Sequence, residues 1–195
     1  ADMMVENGNI DEAIELYEKA IEEYPYEDEL WIKKGNMLAS LKKYEEAVEC
    51  YDTAIYINPN REKVWHAKGL TLHFMKKYDE AIECFDKAID IHPDYDTTWH
   101  AKGVALFLMG RYDEALKHFQ KALEIYPLHK NAAKLKGQCI EKLKELGRSD
   151  EDIEEMEKRD IKIVSERKAG SGVSASVMTS EAKHIRDELE KKVEV

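Results

Sequence analysis

His66, His73 and His100 are the residues of this chain whose type and spacing could do chemistry, and the chemistry would be metal binding. On a helix, His66 and His73 would be separated by about 10 Å of rise, too far to share one ion. No cysteine or carboxylate completes a tetrahedral set at the usual ligand spacing, so no metal and no other cofactor is expected. These histidines are expected instead to make amphipathic contacts whose strength depends on pH. Cys50 and Cys84 stand 34 residues apart. If that interval is one structural repeat, they lie about 10 Å from each other, beyond disulfide reach. Cys139 has no evident mate, and all three cysteines read as reduced, buried residues. There is no glycine-rich phosphate loop, nucleophile elbow or helical zinc-binding histidine pair, so no catalytic residue is expected.

The elements that must carry these residues are set by a ladder. Pro25, Pro59, Pro93 and Pro127, the only prolines, recur every 34 residues, and Gly35, Gly69, Gly103 and Gly137 keep the same interval. A helix must stop at each proline, and helices can approach closely at each glycine, so one short unit is being repeated. Trp31, Trp65 and Trp99 precede the glycines by four residues; Leu38, Leu72, Leu106 and Ile140 follow by three. Ala13, Ala47, Ala81 and Ala115 come next, then Tyr17, Tyr51, Phe85 and Phe119, then Ala20, Ala54, Ala88 and Ala122. Spacings of three and four place these residues on one stripe of each of two helices per unit. Glycine within a helix costs about 1 kcal/mol against alanine, so Gly69 and Gly103 are expected to face the second helix of their own pair. Acidic residues after Tyr44, Tyr78 and Tyr112 open the second helices, where carboxylates meet the positive end of the helix dipole.

This order of tryptophan, glycine, alanine, aromatic, alanine and proline resembles the tetratricopeptide repeat family over about residues 1–146. Lys34, Lys68, Lys102 and Lys136 stand where the family usually has leucine before the glycine, a change tolerated if the stem covers apolar surface while the ammonium stays wet. The resemblance implies an all-α fold, a right-handed superhelical solenoid of antiparallel helix pairs with a C-terminal helical extension. Its expected parts are a partial first repeat at 1–27, full repeats at 28–61, 62–95 and 96–129, and a first helix at 130–146 that caps the array without a second half. Gly147 then stops that helix, and Ser149 can cap a charged helix over 149–168 with a thin stripe of Ile153, Met156, Ile161 and Val164.

In the family the first helices line the concave side. They sum here to +9 and the second helices to −14, within a chain of net charge −11. An inner face more basic than the outer follows, although dipole selection of acidic first turns would give part of the same asymmetry. The resemblance places Ile32, Asn36 and Ser40 on the inner face of the first full repeat. Lys63, His66, Leu70, His73 and Phe74 follow on the second, and Thr97, His100, Val104, Phe107 and Leu108 on the third. Chaperone-binding members of the family clamp a terminal carboxylate with lysine and asparagine on one inner helix, asparagine on the next, and lysine or arginine on the third. Here those places hold Ile32 and Asn36, Ala67, then Thr97 and Ala101, and a shift of one repeat is no better. A hydrophobic groove for an amphipathic helix or peptide is expected instead. The protein is then a non-catalytic scaffold or adaptor, or else the docking part of a larger enzyme or complex, or a self-assembling module.

Beyond a flexible connector at 169–178, containing Gly170, Ser171 and Gly172, residues 179–195 read as a short amphipathic helix. Met178, Ala182, Ile185, Leu189 and Val193 are its anchors. Too short to persist alone in water, it is expected on some surface of the protein, in its own groove or in that of a neighbouring chain. It reads as a native tail, with a peptide fused through the Gly170-Ser171-Gly172 linker as the lesser alternative. Counting back from Gly35 lands on Ala1, so the chain is expected to be a fragment that starts within a repeat. With 36% charged residues and no apolar run near the 18 or so needed to span a bilayer, a cytoplasmic place without membrane insertion is expected. The acidic balance makes nucleic acid a poor partner.

Overall fold

A computed structural model describes residues 10–156 and residue 158. It is all-α, with no strand among the described residues, and it divides into two compact units, which meet in sequence between Lys77 and Tyr78. The first holds α1 (Ile10–Glu23), α2 (Asp28–Ser40), α3 (Tyr44–Ile57) and α4 (Glu62–Phe74). The second holds α5 (Tyr78–Ile91), α6 (Asp96–Leu108), α7 (Tyr112–Ile125), α8 (Lys130–Glu145) and a helical segment over 150–156.

The repeating alphabet does the expected packing. In the first unit Leu38, Ala47, Cys50, Tyr51, Ala54 and Val64 form one core. A Cβ added to Gly35 would stand 2.8 Å from Tyr51 Cε1, so only glycine lets α2 settle onto α3. In the second unit a Cβ on Gly103 would come within 2.7 Å of Cε1 of the fully buried Phe119, its own pair's aromatic. Gly69 is buried as well. Gly137 is exposed, with nothing described within 4 Å of an added Cβ. Ile153, one period beyond Phe119, is nevertheless buried with Cys139 and Leu143, so the segment that the sequence reading separated from α8 contributes to its core.

Two periodic bonds set the helix positions, and neither was foreseen. The indole Nε1–H of Trp31, Trp65 and Trp99 donates to the carbonyl of Pro25, Pro59 and Pro93 at 2.9, 2.8 and 2.7 Å, tying each first helix to the turn before it. The lysines before the glycines also have a partner. Lys34 reaches Glu18 at 2.8 Å, and Lys68 and Lys102 reach Asp52 and Asp86 at 2.5 Å, each a carboxylate sixteen residues earlier on the preceding second helix. Their ammonium groups are therefore paired, not simply solvated. Three positive charges of the first-helix layer are answered by the layer behind it.

Every first helix ends alike. The N–H of Lys42, Lys76, Gly110 and Gly147 bonds the carbonyl three residues back, and the next residue bonds the carbonyl five back. This helix ending requires a left-handed residue. All four have positive φ, at 61°, 62°, 76° and 88°. Ser149 caps the 150–156 segment as expected, accepting from Asp152 N–H at 3.1 Å while Asp152 Oδ2 accepts from Ser149 N–H at 3.1 Å.

Candidate functional site

In the first unit the C-terminal halves of α2 and α4 and the start of α3 enclose a cleft of about 380 Å³. Its apolar wall is Ala39, Tyr44, Ala67, Leu70 and Phe74. Asn36, Ser40, Lys42, Tyr51 and Thr71 supply the polar edge. Phe74 is 63% exposed although its ring lies parallel to Tyr44 at 6.0 Å and edge-on to His73 at 5.8 Å. The Tyr51 hydroxyl donates to Asn36 Oδ1 at 2.8 Å, which fixes the amide and leaves chiefly its N–H donors for a ligand. Burial pushes the Tyr51 phenol up to about 12, keeping it a neutral donor.

The structure thus gathers Asn36, Ser40, Leu70 and Phe74 of the expected groove residues into one cleft. Lys63, His66 and His73 lie outside its wall: Lys63 is exposed, and His66 and His73 are half-buried, with burial holding both imidazoles below their usual range. Sequence reasoning missed Lys42, Tyr44, Tyr51 and Thr71 because they belong to the turn, to the second helix, or to a face read as core.

In the second unit the expected residues have divided duties. Val104 and Phe107 pack on the core, Phe107 edge-on to Tyr112 at 5.2 Å, whereas Leu108 is 53% exposed. Of these expected groove residues Leu108, not Phe107, is therefore the apolar group most open to a partner. Thr97 and His100 are half-buried, and Thr97 Oγ1 and His100 Nε2 meet no hydrogen-bond partner among the described residues. The His100 ring lies 4.5 Å from that of His129 and 5.8 Å from Phe119. Burial first, then His129, depresses His100 to about 4, with Asp96 opposing. The His100 ring is tilted by 32° to that of His129 and by 49° to that of Phe119, and no group of three potential metal ligands is assembled among the described residues. The cysteines are buried and form no disulfide, and burial pushes the Cys50 and Cys139 thiols up to about 12, which keeps these two unreactive. Met178, Ala182, Ile185, Leu189 and Val193 lie outside the described residues.

Helix pairs stacked by a glycine, an aromatic and a proline-tied tryptophan define a helical-repeat protein. Three tetratricopeptide repeat family profiles match it, over residues 4–70, 60–127 and 100–155. The chain belongs to the tetratricopeptide repeat family. Among solved structures, a MamA protein is 20% identical with a TM-score of 0.70, covering 90% of this chain and 93% of its own. The first repeat domain of Spaghetti (RPAP3), bound to the HSP90 peptide SRMEEVD, is 22% identical with a TM-score of 0.58 and coverages of 60% and 92%. The Arabidopsis OM64 repeat domain is 24% identical, with a TM-score of 0.56 and coverages of 57% and 93%. At these identities the likeness is one of fold. No curated protein sequence matches the chain.

Proposed function

We propose that this protein is a non-catalytic interaction scaffold that takes an amphipathic helix or peptide segment of a protein partner on its first helices. The observation that carries the reading is the open apolar cleft of α2 to α4, with Phe74 63% exposed at its edge. An aromatic that large left in water beside a formed cavity is a contact waiting for a partner, and anchors of this kind dominate interface energies. The RPAP3 domain holds an HSP90 peptide, but of the terminal-carboxylate clamp this chain keeps only Asn36, so apolar contact carries its binding. The segment 179–195, with Ile185, Leu189 and Val193 on one stripe, is a competing occupant of the same surface. No described helix is long and apolar enough to cross a membrane.

The test is capture of native-cell proteins by the parent and by a Phe74→Ala, Leu108→Ala double variant. Both side chains are exposed, so helicity and melting should stay near the parent's while captured proteins are lost. Phe107 is unsuited to this purpose because its truncation would open the core. Undiminished capture by the double variant would refute the reading.

A further inference from the structure

We infer that the protein joins copies of itself head to tail, the acidic tyrosine turn between α1 and α2 of one copy docking on the basic apolar turn between α7 and α8 of the next. None of the residues involved lines the cleft of α2 to α4, so this contact is separate from the proposed partner surface.

The first observation is where the exposed apolar groups lie. Of the eight large apolar or aromatic side chains exposed among the described residues, four sit in these two turns: Tyr24, Tyr26, Tyr126 and Leu128. Leu128, at 75%, is the most open of all eight. The four flank Pro25 and Pro127, whereas Pro59 and Pro93 are flanked at the same positions by Asn58, Asn60, His92 and Asp94. The turn can therefore be made from polar residues, and twice it is. Its backbone is alike in both cases, since Glu27 N–H bonds the Tyr24 carbonyl at 3.2 Å and His129 N–H bonds that of Tyr126 at 3.1 Å. Each turn thus holds out the side chains on either side of its proline in the same way.

The second observation is charge. Glu22, Glu23 and Glu27 surround the first turn; all three are exposed, and none is in an ion pair among the described residues. Asp28 and Glu29 beside them are already held by Arg61. Around the last turn stand Lys130 and Lys134, exposed, one helical turn apart and likewise without an ion pair among the described residues. Lys130 opens α8 at the place where Asp28, Glu62 and Asp96 open α2, α4 and α6. A cation there opposes the helix dipole that an acid would complement, so helix stability does not account for it. An acidic neighbour from outside does.

The two turns are complementary to each other and not to themselves. Two copies of the first turn would bring glutamates together, and two of the last would bring lysines together, so the favourable pairing is first with last. Such a contact is heterologous, leaving each copy with one free turn of each kind. Four side chains fall short of the about 1,000 Å² that a stable interface needs, so the association belongs at high protein concentration.

The experiment is sedimentation of the full chain over a concentration series reaching about 1 mM, the range in which weak contacts populate. The parent's mass should rise with concentration, and several-fold less readily at about 0.5 M than at about 0.05 M salt. A Tyr24→Ser, Tyr26→Ser variant and a Leu128→Ser, Lys130→Glu variant should each stay monomeric alone. An equimolar mixture of the two should form a dimer and nothing larger, because each retains the turn that the other has lost. All four positions are exposed, and circular dichroism should show parental helicity in both variants. A parent that is monomeric throughout, association that survives in either variant, or a mixture that stays monomeric overturns the inference. The Phe74→Ala, Leu108→Ala variant should assemble as the parent does; loss of assembly there would place the contact in the cleft and overturn it too.

Discussion

Arg61 and His129 stand at the same place in two repeats, each just before a first helix and each reaching back to an acid that opens the first helix before it. In the first unit Arg61 grips Asp28 at 2.9 Å and Glu29 at 2.7 Å, a forked contact that no physiological pH can discharge. In the second, His129 Nε2 lies 3.8 Å from Asp96, and its Nδ1 accepts from Ala132 N–H at 3.2 Å, an N-cap that requires a neutral ring. None of the other first-helix N-caps, Glu27, Arg61 or Tyr95, uses its side chain in this way. One repeat geometry therefore supports a permanent ionic clasp in one unit and an imidazole cap in the other. The turns differ in the opposite sense, with strained lysines in the first unit and glycines in the second.

The largest effect should come from packing. Gly103→Leu must displace the fully buried Phe119 ring and should destabilise by about 1–3 kcal/mol, whereas Gly137→Ala should stabilise by about 0.5–1 kcal/mol. Denaturant unfolding of the two variants checks this, and equal costs would mean that the open face of α8 is not open. Acid comes next. His118, stacked on Trp99 at 5.5 Å, is pushed down to about 3 by burial and then by Lys102, Lys117 and Arg111. His100 is pushed down to about 4. Both bind a proton more weakly folded than unfolded, so stability is complete above about pH 6.5 and falls as pH drops from there toward 4 and 3. The slope is at most about 1.4 kcal/mol per pH unit for each ring.

His118→Phe keeps a ring on Trp99 and removes the proton, so it should shrink the loss of melting temperature between pH 7 and pH 5. The same change at His66, displaced in the same direction but less, should shrink it less. A ranking reversed in circular-dichroism melts would break the contrast between units. The clasps should weigh about 1 kcal/mol or less. Arg61→Ala should lose its effect in high salt, while His129→Ala, which removes a cap, should not. Smallest, Lys42→Gly and Lys76→Gly should each stabilise by about 0.5–1 kcal/mol, read as raised denaturation midpoints. A loss of stability at either site would mean the lysine stem packs after all.

The helix pairs were legible because their signals are local and periodic. Pro93, Trp99, Gly103 and Phe119 each have one structural job, repeated at one interval, and a single sequence shows that interval directly. Part of the cleft could be read as well, since the family resemblance places Asn36, Ser40, Leu70 and Phe74 on the inner face of their first helices. Phe74 and Phe107 could not be told apart: both are aromatic residues near the end of a first helix, and only packing turned one onto Tyr112 and left the other in water. The carboxylate partners of Lys34, Lys68 and Lys102 do recur with the period, but periodicity cannot say which groups touch across two helices.

Composition and spacing alone determined the all-α architecture, the place of each turn, and which helix of each pair carries positive charge, because helix propensity, chain reversal and close approach depend on residues near in sequence. The tertiary structure decided which charges remain available, which apolar groups stay exposed, and that two lysines take a left-handed turn. Those outcomes depend on distances between residues sixteen or more apart and on backbone angles that helix ends impose. Nothing in the run Leu41, Lys42, Lys43, Tyr44 announces a positive φ; it arises because α2 must end and reverse within three residues so that Tyr51 can reach Gly35.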